Sequence, residues 1–325
     1  MGPFQHIEPK VNMNLTTPPS QHDIAADLIA VLVAVTDGEP RVLTIQDERA
    51  LPSGPFQLAH RSLQSGLRAW VERQTRLPLG YVEQLYTFAD RDRAGVTAQH
   101  VISISYLGLT REQPASGEYV GSWHGWYEYF PWEDHRLGTP PLIEKSLKRG
   151  LTAWASDASD RSEQRNRRQR AAMLFGFDDH EWNEELILQR YELLYEAGLI
   201  PEAKRGATAA ASAAVTGKSM ILDHRRILAT GIARLRAKIK YHPVVFELMP
   251  DTFTLLQLQR CVEALAGRLV HKPNFRRLIE QQELVEETGE LSQDTGGRPA
   301  KLFRFRGAVY AARAIAGTKL PVSGA

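Results

Sequence analysis

Six residues near the end of the chain have side chains suited to contacting a polyanion. They are Lys272, Asn274, Arg276, Arg277, Arg298 and Lys301. Lysine and arginine pair with phosphate groups, whereas arginine and asparagine can also form paired hydrogen bonds with base edges in the major groove of DNA. We expect Asn274, Arg276 and Arg277 to contact base edges, and the other three residues to contact phosphates.

The pattern around these residues predicts two helices. Thr254 and Gln257 have the spacing of a capping box, in which two side chains satisfy the free amides of a helix start, and Gly267 ends that helix. Proline is tolerated at the first position of a helix, so a second helix is predicted to start at Pro273. The residues predicted to form its buried face are Phe275, Leu278 and Ile279.

A basic hairpin is predicted to follow the second helix. Two strand-like stretches, residues 284–287 and 301–305, flank a tip formed by residues 296–299. Glycines at this tip allow the backbone and Arg298 to approach a sugar-phosphate strand closely. The order helix, turn, helix and basic hairpin is typical of a winged helix that binds duplex DNA. The same order also fits an adaptor whose winged helix binds protein.

These segments resemble the C-terminal winged helix of the Nudix-related transcriptional regulators of NAD metabolism, the NrtR family. The resemblance lies in residues 272–277 and 297–304, and residues 235–248 resemble the domain junction of that family. It extends over most of the chain from about Ile24, and it is closest to the longer NAD-biosynthesis repressors of the NadQ type. It implies an α+β protein with an N-terminal degenerate Nudix α/β/α sandwich, a helical extension and a C-terminal winged helix-turn-helix.

A second segment resembles the Nudix box, the loop and helix that hold magnesium and a pyrophosphate in Nudix hydrolases. When the box is aligned on Gly54, Arg68 and Glu72 match an arginine and a glutamate of its signature. The signature has glutamate at three further positions and glycine at a fourth, and these are occupied here by His60, Ala69, Arg73 and Thr75. The periodicity of apolar residues predicts the box helix from about Arg61 to Thr75.

These changes predict that a nucleotide is bound and not cleaved. Magnesium takes oxygen ligands and needs clustered carboxylates beside a pyrophosphate. The guanidinium of Arg73 cannot become a ligand, although it can pair directly with a phosphate. The resemblance therefore implies a chain that is not an enzyme, with no catalytic cofactor or metal, and an effector that is NAD, ATP or ADP-ribose. The candidate effector-binding residues are Arg49, His60, Arg68 and Arg73. The alternative is an amphipathic helix whose exposed charges have no ligand.

The overall composition fits a protein of two or more domains. A chain of 325 residues can bury more than one core, and its net charge of +2 requires any nucleic-acid surface to be a local patch. The single cysteine, Cys261, excludes an intramolecular disulfide. Neither an apolar run of membrane-spanning length nor a signal-peptide core is present, so we expect a cytoplasmic protein, nucleoid-associated when bound to DNA, with no membrane partner.

A helix after Asp223 is predicted to join the two functional parts. Its apolar seam is Leu228, Ile232, Leu235 and Ile239, and basic residues are expected on its outer faces: Arg225, Arg226, Arg234, Arg236, Lys238 and Lys240. We expect this helix to mediate a homodimer, because a symmetric pair of winged helices reads palindromic double-stranded operator DNA.

The resemblance and the residues together give one leading hypothesis. The chain is expected to be a transcriptional repressor of NAD biosynthesis genes whose Nudix-like domain senses an adenine nucleotide. The alternative is an active Nudix pyrophosphatase of the ADP-ribose type with an appended nucleic-acid-binding module. The expected parts are a flexible leader (1–22), the effector domain (23–140), a helical extension and linker (141–222), the winged helix (223–316) and a flexible tail (317–325).

Overall fold

The N-terminal half of the chain is built around a mixed six-stranded sheet. The computed structural model describes residues 24–75, 79–89, 100–112, 121–204, 216–292 and 299–307. The strands are β1 (Ile24–Thr36), β2 (Glu39–Thr44), β3 (Ser53–Pro55), β4 (Tyr81–Phe88), β5 (His100–Leu109) and β6 (Ser122–Gly125). Their order is β4-β5-β1-β2-β6, with β3 also paired to β1. Strand β1 is parallel to β5, and the other pairs are antiparallel.

The sheet is covered on both faces, as the continuous apolar run in β1 predicts. Helix α1 (Leu63–Thr75) packs Leu67 and Val71 against Leu28 and Leu32 on one face. The opposite face belongs to a larger core, which continues through the helices that follow in sequence. These helices are α2 (Lys148–Ser156, preceded by a π-helical turn, Ile143–Leu147), α3 (Arg161–Phe175), α4 (Ile187–Glu196) and α5 (His224–Ile239).

Helix α5 packs one face into the chain's own core, which corrects the prediction for two of the six basic residues expected on its outer faces. Its residue Gly231 lies so close to β1 that an added Cβ would be 2.9 Å from Val31 Cγ1. Arg225 and Arg236, predicted to be exposed, have no exposed surface. The prediction fails because the helix packs against α4 and the sheet at once. Arg234 on the same helix and Lys240 at its end stay exposed, so the homodimer and its predicted contact on this helix both stay predictions.

The winged helix has the order of elements that the sequence predicts. It consists of α6 (Leu255–Ala266), α7 (Lys272–Gln282) and the hairpin β7 (Val285–Ser292) with β8 (Ala300–Phe305). The capping box forms, with the Thr254 amide donating to Gln257 Oε1 at 2.7 Å and the Gln257 amide donating to Thr254 Oγ1 at 3.2 Å. Phe253 and Phe303 exchange backbone hydrogen bonds, which attach the hairpin to the start of α6.

The predicted buried face of α7 is only partly buried, and one of its three residues is exposed. Phe275 and Ile279 pack against the core, whereas Leu278 is 49% exposed. The cause is the helical period, because 275 and 279 are four positions apart on one stripe and 278 lies at its edge. Among the described residues, no helix is long and apolar enough to cross a bilayer.

Candidate functional site

Helix α7 presents a polar surface to solvent. Its inner stripe is fixed on the core by Phe275 and Ile279, and it ends at Glu283, whose backbone is left-handed with φ of 49°. The outward side chains are Lys272, Asn274, Arg276 and Arg277, and all four are exposed. None of the four forms an ion pair with a described residue. The helix therefore offers uncompensated positive charge and hydrogen-bond donors over much of its exposed surface, which suits contact with phosphates and base edges.

The hairpin differs from α7 because its described cations already have partners. On β8, Lys301 Nζ lies 2.8 Å from Glu287 Oε1, and Arg304 Nε lies 2.5 Å from Glu286 Oε1. These pairs are exposed, and such pairs are worth about 0–1 kcal/mol, so a phosphate can compete for the cations. Arg298, predicted to contact phosphate at the hairpin tip, lies outside the described residues.

The end of α6 is fastened to the rest of the chain by three hydrogen bonds to backbone carbonyls. Tyr127 Oη donates to the Ala264 carbonyl at 2.7 Å, Arg236 Nε to that of Leu265 at 2.9 Å, and the His135 amide to that of Gly267 at 2.6 Å. The last carbonyls of a helix lack partners within the helix, and a cation there is favoured by the helix dipole. The segment after β6 and helix α5 thus hold the winged helix in place.

Three buried, charged side chains lie next to the contact between the end of α6 and the rest of the chain. The Glu133 carboxylate accepts hydrogen bonds from Arg190 Nε at 2.6 Å and Arg190 Nη2 at 3.0 Å, and also from Arg236 Nη1. All three side chains are fully buried. Desolvation by burial raises the pKa of Glu133, but attraction to Arg190 and Arg236 outweighs it, and the pKa lies below its ordinary value. We define Glu133, Arg190 and Arg236 as the junction triad.

The sequence offered no signal for the junction triad. Its members are 57 and 103 residues apart, so no spacing pattern connects them. Arg236 was predicted to be one of several exposed cations on α5. A charged side chain is buried only when its partner is supplied by another part of the fold, and composition does not show which charges meet.

Trp70 packs the helix of the Nudix-like box against strand β3 of the sheet. The ring of Trp70 covers Gly54, where an added Cβ would lie 2.2 Å from the indole, and its Nε1 donates to the Pro55 carbonyl at 2.9 Å. One turn further on, Gln74 pairs with both backbone groups of Ser53, at 2.8 and 3.2 Å. The box helix is therefore held against β3 as a rigid unit.

Three of the candidate effector residues lie on or beside this unit. Arg68 donates to the carbonyl of Gly80 at 3.1 Å and also to that of Leu79, so it holds the start of β4 in place. The guanidinium of Arg73 lies 3.7 Å from the centre of the Trp70 ring and is exposed. His60 Nδ1 accepts a hydrogen bond from the Gln57 amide at 3.1 Å. Of these three residues, Arg73 is the one whose charged group is exposed.

The fourth candidate, Arg49, belongs to a different neighbourhood. It is exposed, and its carbonyl accepts a hydrogen bond from the Ile221 amide at 2.8 Å. The adjacent Glu48 comes together with His124 and Glu128, and their ligand atoms lie within 4.8 Å of one another. The ammonium of Lys218 contacts both carboxylates and so supplies the positive charge that a metal ion would bring. The hydrogen bonds to Glu128 and Glu48 raise the pKa of Lys218 above its ordinary value.

Comparisons with known proteins agree with this architecture. Residues 245–305 match the model of the NrtR DNA-binding winged helix domain. A curated relative, the ADPR responsive transcriptional repressor NtrR of Acinetobacter baylyi, is 40% identical over 86 residues, which are 26% of this chain and 34% of the relative. The match to this relative thus spans about a third of its length.

The whole fold has counterparts among solved structures. The NrtR of Shewanella oneidensis complexed with a 27mer DNA aligns over 88% of this chain and 95% of its own, with a TM-score of 0.53 and 19% identity. The same protein without DNA aligns with a TM-score of 0.51, covering 86% of this chain and 94% of its own at 19% identity. The resemblance to the Nudix-related regulators is therefore confirmed: the chain carries an NrtR-type winged helix on a mixed α/β fold shared with NrtR.

Proposed function

We propose that this chain is a DNA-binding transcriptional repressor whose Nudix-like domain binds an adenine nucleotide and thereby alters its affinity for operator DNA. The observation that carries the proposal is the exposed side of α7, where Lys272, Asn274, Arg276 and Arg277 stand without ion-pair partners among the described residues in a domain of NrtR type. ADP-ribose is the first effector to test, because the Acinetobacter relative is named as responsive to it. NAD and ATP are the other two candidates.

The target genes and the form of the operator are further parts of the proposal. The family resemblance favours NAD biosynthesis genes as targets. A single winged helix covers only half of a symmetric site, so a palindromic operator and a homodimer belong together. The dimer contact is proposed on the part of α5 that stays exposed, which includes Arg234.

The Nudix-like domain is proposed to bind its nucleotide without cleaving it. The box helix carries one carboxylate, Glu72, and the neighbouring position holds Arg73, whose guanidinium is stacked on Trp70. A pyrophosphatase would need several carboxylates here to hold magnesium. The competing function, an ADP-ribose pyrophosphatase, predicts robust magnesium-dependent turnover of ADP-ribose by the purified chain. Our proposal predicts none.

One experiment tests both DNA binding and nucleotide sensing. The full chain is titrated against a labelled promoter fragment of an NAD-synthesis operon, with and without saturating ADP-ribose. Two linked sites typically change each other's affinity by about 5- to 150-fold. If ADP-ribose, NAD and ATP all leave the dissociation constant unchanged, the sensing half is wrong. If the chain binds no promoter DNA, the adaptor alternative is favoured.

The residues of α7 and of the hairpin are expected to act differently. Replacing Arg277 with alanine should weaken binding to the preferred site by about 1–3 kcal/mol and relax base preference there, because a paired hydrogen bond to a base edge is lost. The measurement is fluorescence anisotropy with the operator and with single-base variants of it.

Lys301→Ala is the matched comparison for Arg277→Ala. It should weaken binding to all sequences alike and reduce the slope of log affinity against log salt by about 1, because a phosphate contact is lost. Its effect should be the smaller one, since Lys301 must first leave Glu287. Equal losses of base preference in both variants would contradict this division of roles.

A further inference from the structure

A cleft on the far side of the sheet from the Nudix-like box has the dimensions of a small-molecule site. It lies between edge strand β4 and helices α3, α4 and α5, and it encloses about 620 Å³. Small-molecule pockets usually occupy about 300–1,000 Å³ and are mostly apolar. Phe88, in the wall of the cleft, belongs to the core on the sheet face opposite α1. The cleft is therefore separate from the surface that carries Arg68 and Arg73.

The charges in and beside the cleft are already balanced. Arg226 pairs with Glu192, and Arg170 lies 3.0 and 2.5 Å from the two carboxylate oxygens of Glu196. A phosphate or carboxylate ligand would have to break one of these pairs before it gained a partner. The electrostatics thus favour an uncharged ligand over an anion.

Side chains that bind planar rings line the cleft. Tyr86 stands at the mouth with 60% of its surface exposed, and its ring meets Phe88 edge-on at 5.1 Å. The guanidinium of Arg226 lies 4.9 Å from the Phe88 ring centre. Met173, 48% exposed, borders the same opening. Aromatic faces, a guanidinium plane and a thioether are all favourable partners for a planar π-system.

The polar groups at the opening indicate heteroatoms on that ring. Gln189 is exposed and its amide can both donate and accept a hydrogen bond. The Thr230 hydroxyl donates to the Arg226 carbonyl at 2.9 Å, so toward a ligand it acts as an acceptor. We propose that this cleft is a binding site for an uncharged planar heteroaromatic molecule, such as a free nucleobase or nucleoside, that stacks against Tyr86.

The test uses 2-aminopurine riboside, an uncharged fluorescent nucleoside, titrated with the full chain without DNA. Saturable quenching is expected for the wild-type chain. Tyr86→Ala should weaken binding by about 5- to 100-fold, because one base–aromatic stack is lost. Tyr86 is largely exposed, so this change leaves the core intact. Tyr241→Ala removes a tyrosine that is 82% exposed and lies outside the cleft, and it should leave the affinity unchanged.

Four results would overturn the inference. The first is a wild-type chain that shows no saturable quenching. The second is a dissociation constant for the probe that is the same in Tyr86→Ala as in the wild-type chain. The third is competition by ADP-ribose: ADP-ribose displaces the probe, and its affinity is the same in the wild-type chain and in Tyr86→Ala. The probe would then occupy the ADP-ribose site and not the cleft. The fourth is a dimer, measured by sedimentation, that dissociates in Tyr86→Ala. A second copy of the chain would then cover the cleft in place of a small molecule. None of these results depends on operator binding, so the proposed repressor function stands or falls separately.

Discussion

Glutamine in place of Glu133 is expected to lower the free energy of unfolding by about 3–5 kcal/mol. The carboxylate is fully buried between Arg190 and Arg236, and it is the counter-ion of both. Glutamine keeps the shape of the side chain but leaves two guanidiniums without a balancing charge in a site that excludes water. Urea-induced unfolding, followed by circular dichroism, measures the difference.

The control for this prediction is Glu196→Gln. It removes the carboxylate from another arginine pair, that of Arg170, but both side chains there are more than 40% exposed. Exposed pairs contribute about 0–1 kcal/mol, so this variant should unfold at nearly the wild-type urea concentration. Similar destabilisation of the two variants would show that burial of the junction triad is not the source of the effect.

The same carboxylate gives the stability a defined pH dependence. The pKa of Glu133 lies below its ordinary value of 4.5, because attraction to Arg190 and Arg236 outweighs the opposing desolvation by burial. A group with a depressed folded-state pKa contributes stability that is fully present above the unfolded-state pKa and is lost as pH falls through the folded-state pKa. Wild-type stability should therefore fall below about pH 4.5, and Glu133→Gln should lack that part of the loss.

The junction triad also limits how a signal can pass to the winged helix. Arg236 binds both the Glu133 carboxylate and the carbonyl at the end of α6, so the Nudix-like domain and the winged helix share contacts with one side chain. A coupling free energy between two sites is typically about 1–3 kcal/mol. In the proposed function, a bound nucleotide therefore needs only to alter the hydrogen bonds that Arg236, Tyr127 and His135 make to the end of α6, and the triad itself can stay intact.

Local signals made most of the winged helix predictable. The capping box at Thr254, the glycine stop at Gly267 and the proline start at Pro273 each act within a few residues, and the structure has all three. The hairpin and the box helix were likewise predicted from their period and from the glycines around them. A structural feature that depends only on residues a few positions apart can be predicted from a single sequence.

Contacts between distant segments were not predictable. Arg225 and Arg236 have the same local pattern as their exposed neighbours, and only the partners Glu202 and Glu133, far away in sequence, make their burial possible. The packing of Trp70 over Gly54 and the support of the start of β4 by Arg68 also depend on the assembled sheet. For the candidate site, the types of residue could therefore be predicted from the sequence, but which of them are exposed depends on the tertiary structure.

Alanine in place of Gly267 is expected to lower the free energy of unfolding by about 2–4 kcal/mol, and to act at the junction itself. Two costs combine at this position. Its φ is +72°, a left-handed conformation that costs a residue with a Cβ about 1–2 kcal/mol. An added Cβ would also lie 2.4 Å from the Glu133 carbonyl oxygen, and 2.8 Å from Tyr127 Oη, so backbone must move. Urea unfolding gives the total.

Gly289→Ala separates the two costs. Its φ is +86°, but nothing lies within 4 Å of the added Cβ, so it should show the backbone cost alone, about 1–2 kcal/mol. The difference between the two variants then measures the close approach of α6 to the segment that carries Glu133. Hydrogen exchange should show where that difference falls: amides at the end of α6 lose protection in Gly267→Ala and keep it in Gly289→Ala. Equal unfolding free energies for the two variants would mean that the winged helix is not pressed against this segment, and the triad would then stabilise the first domain alone.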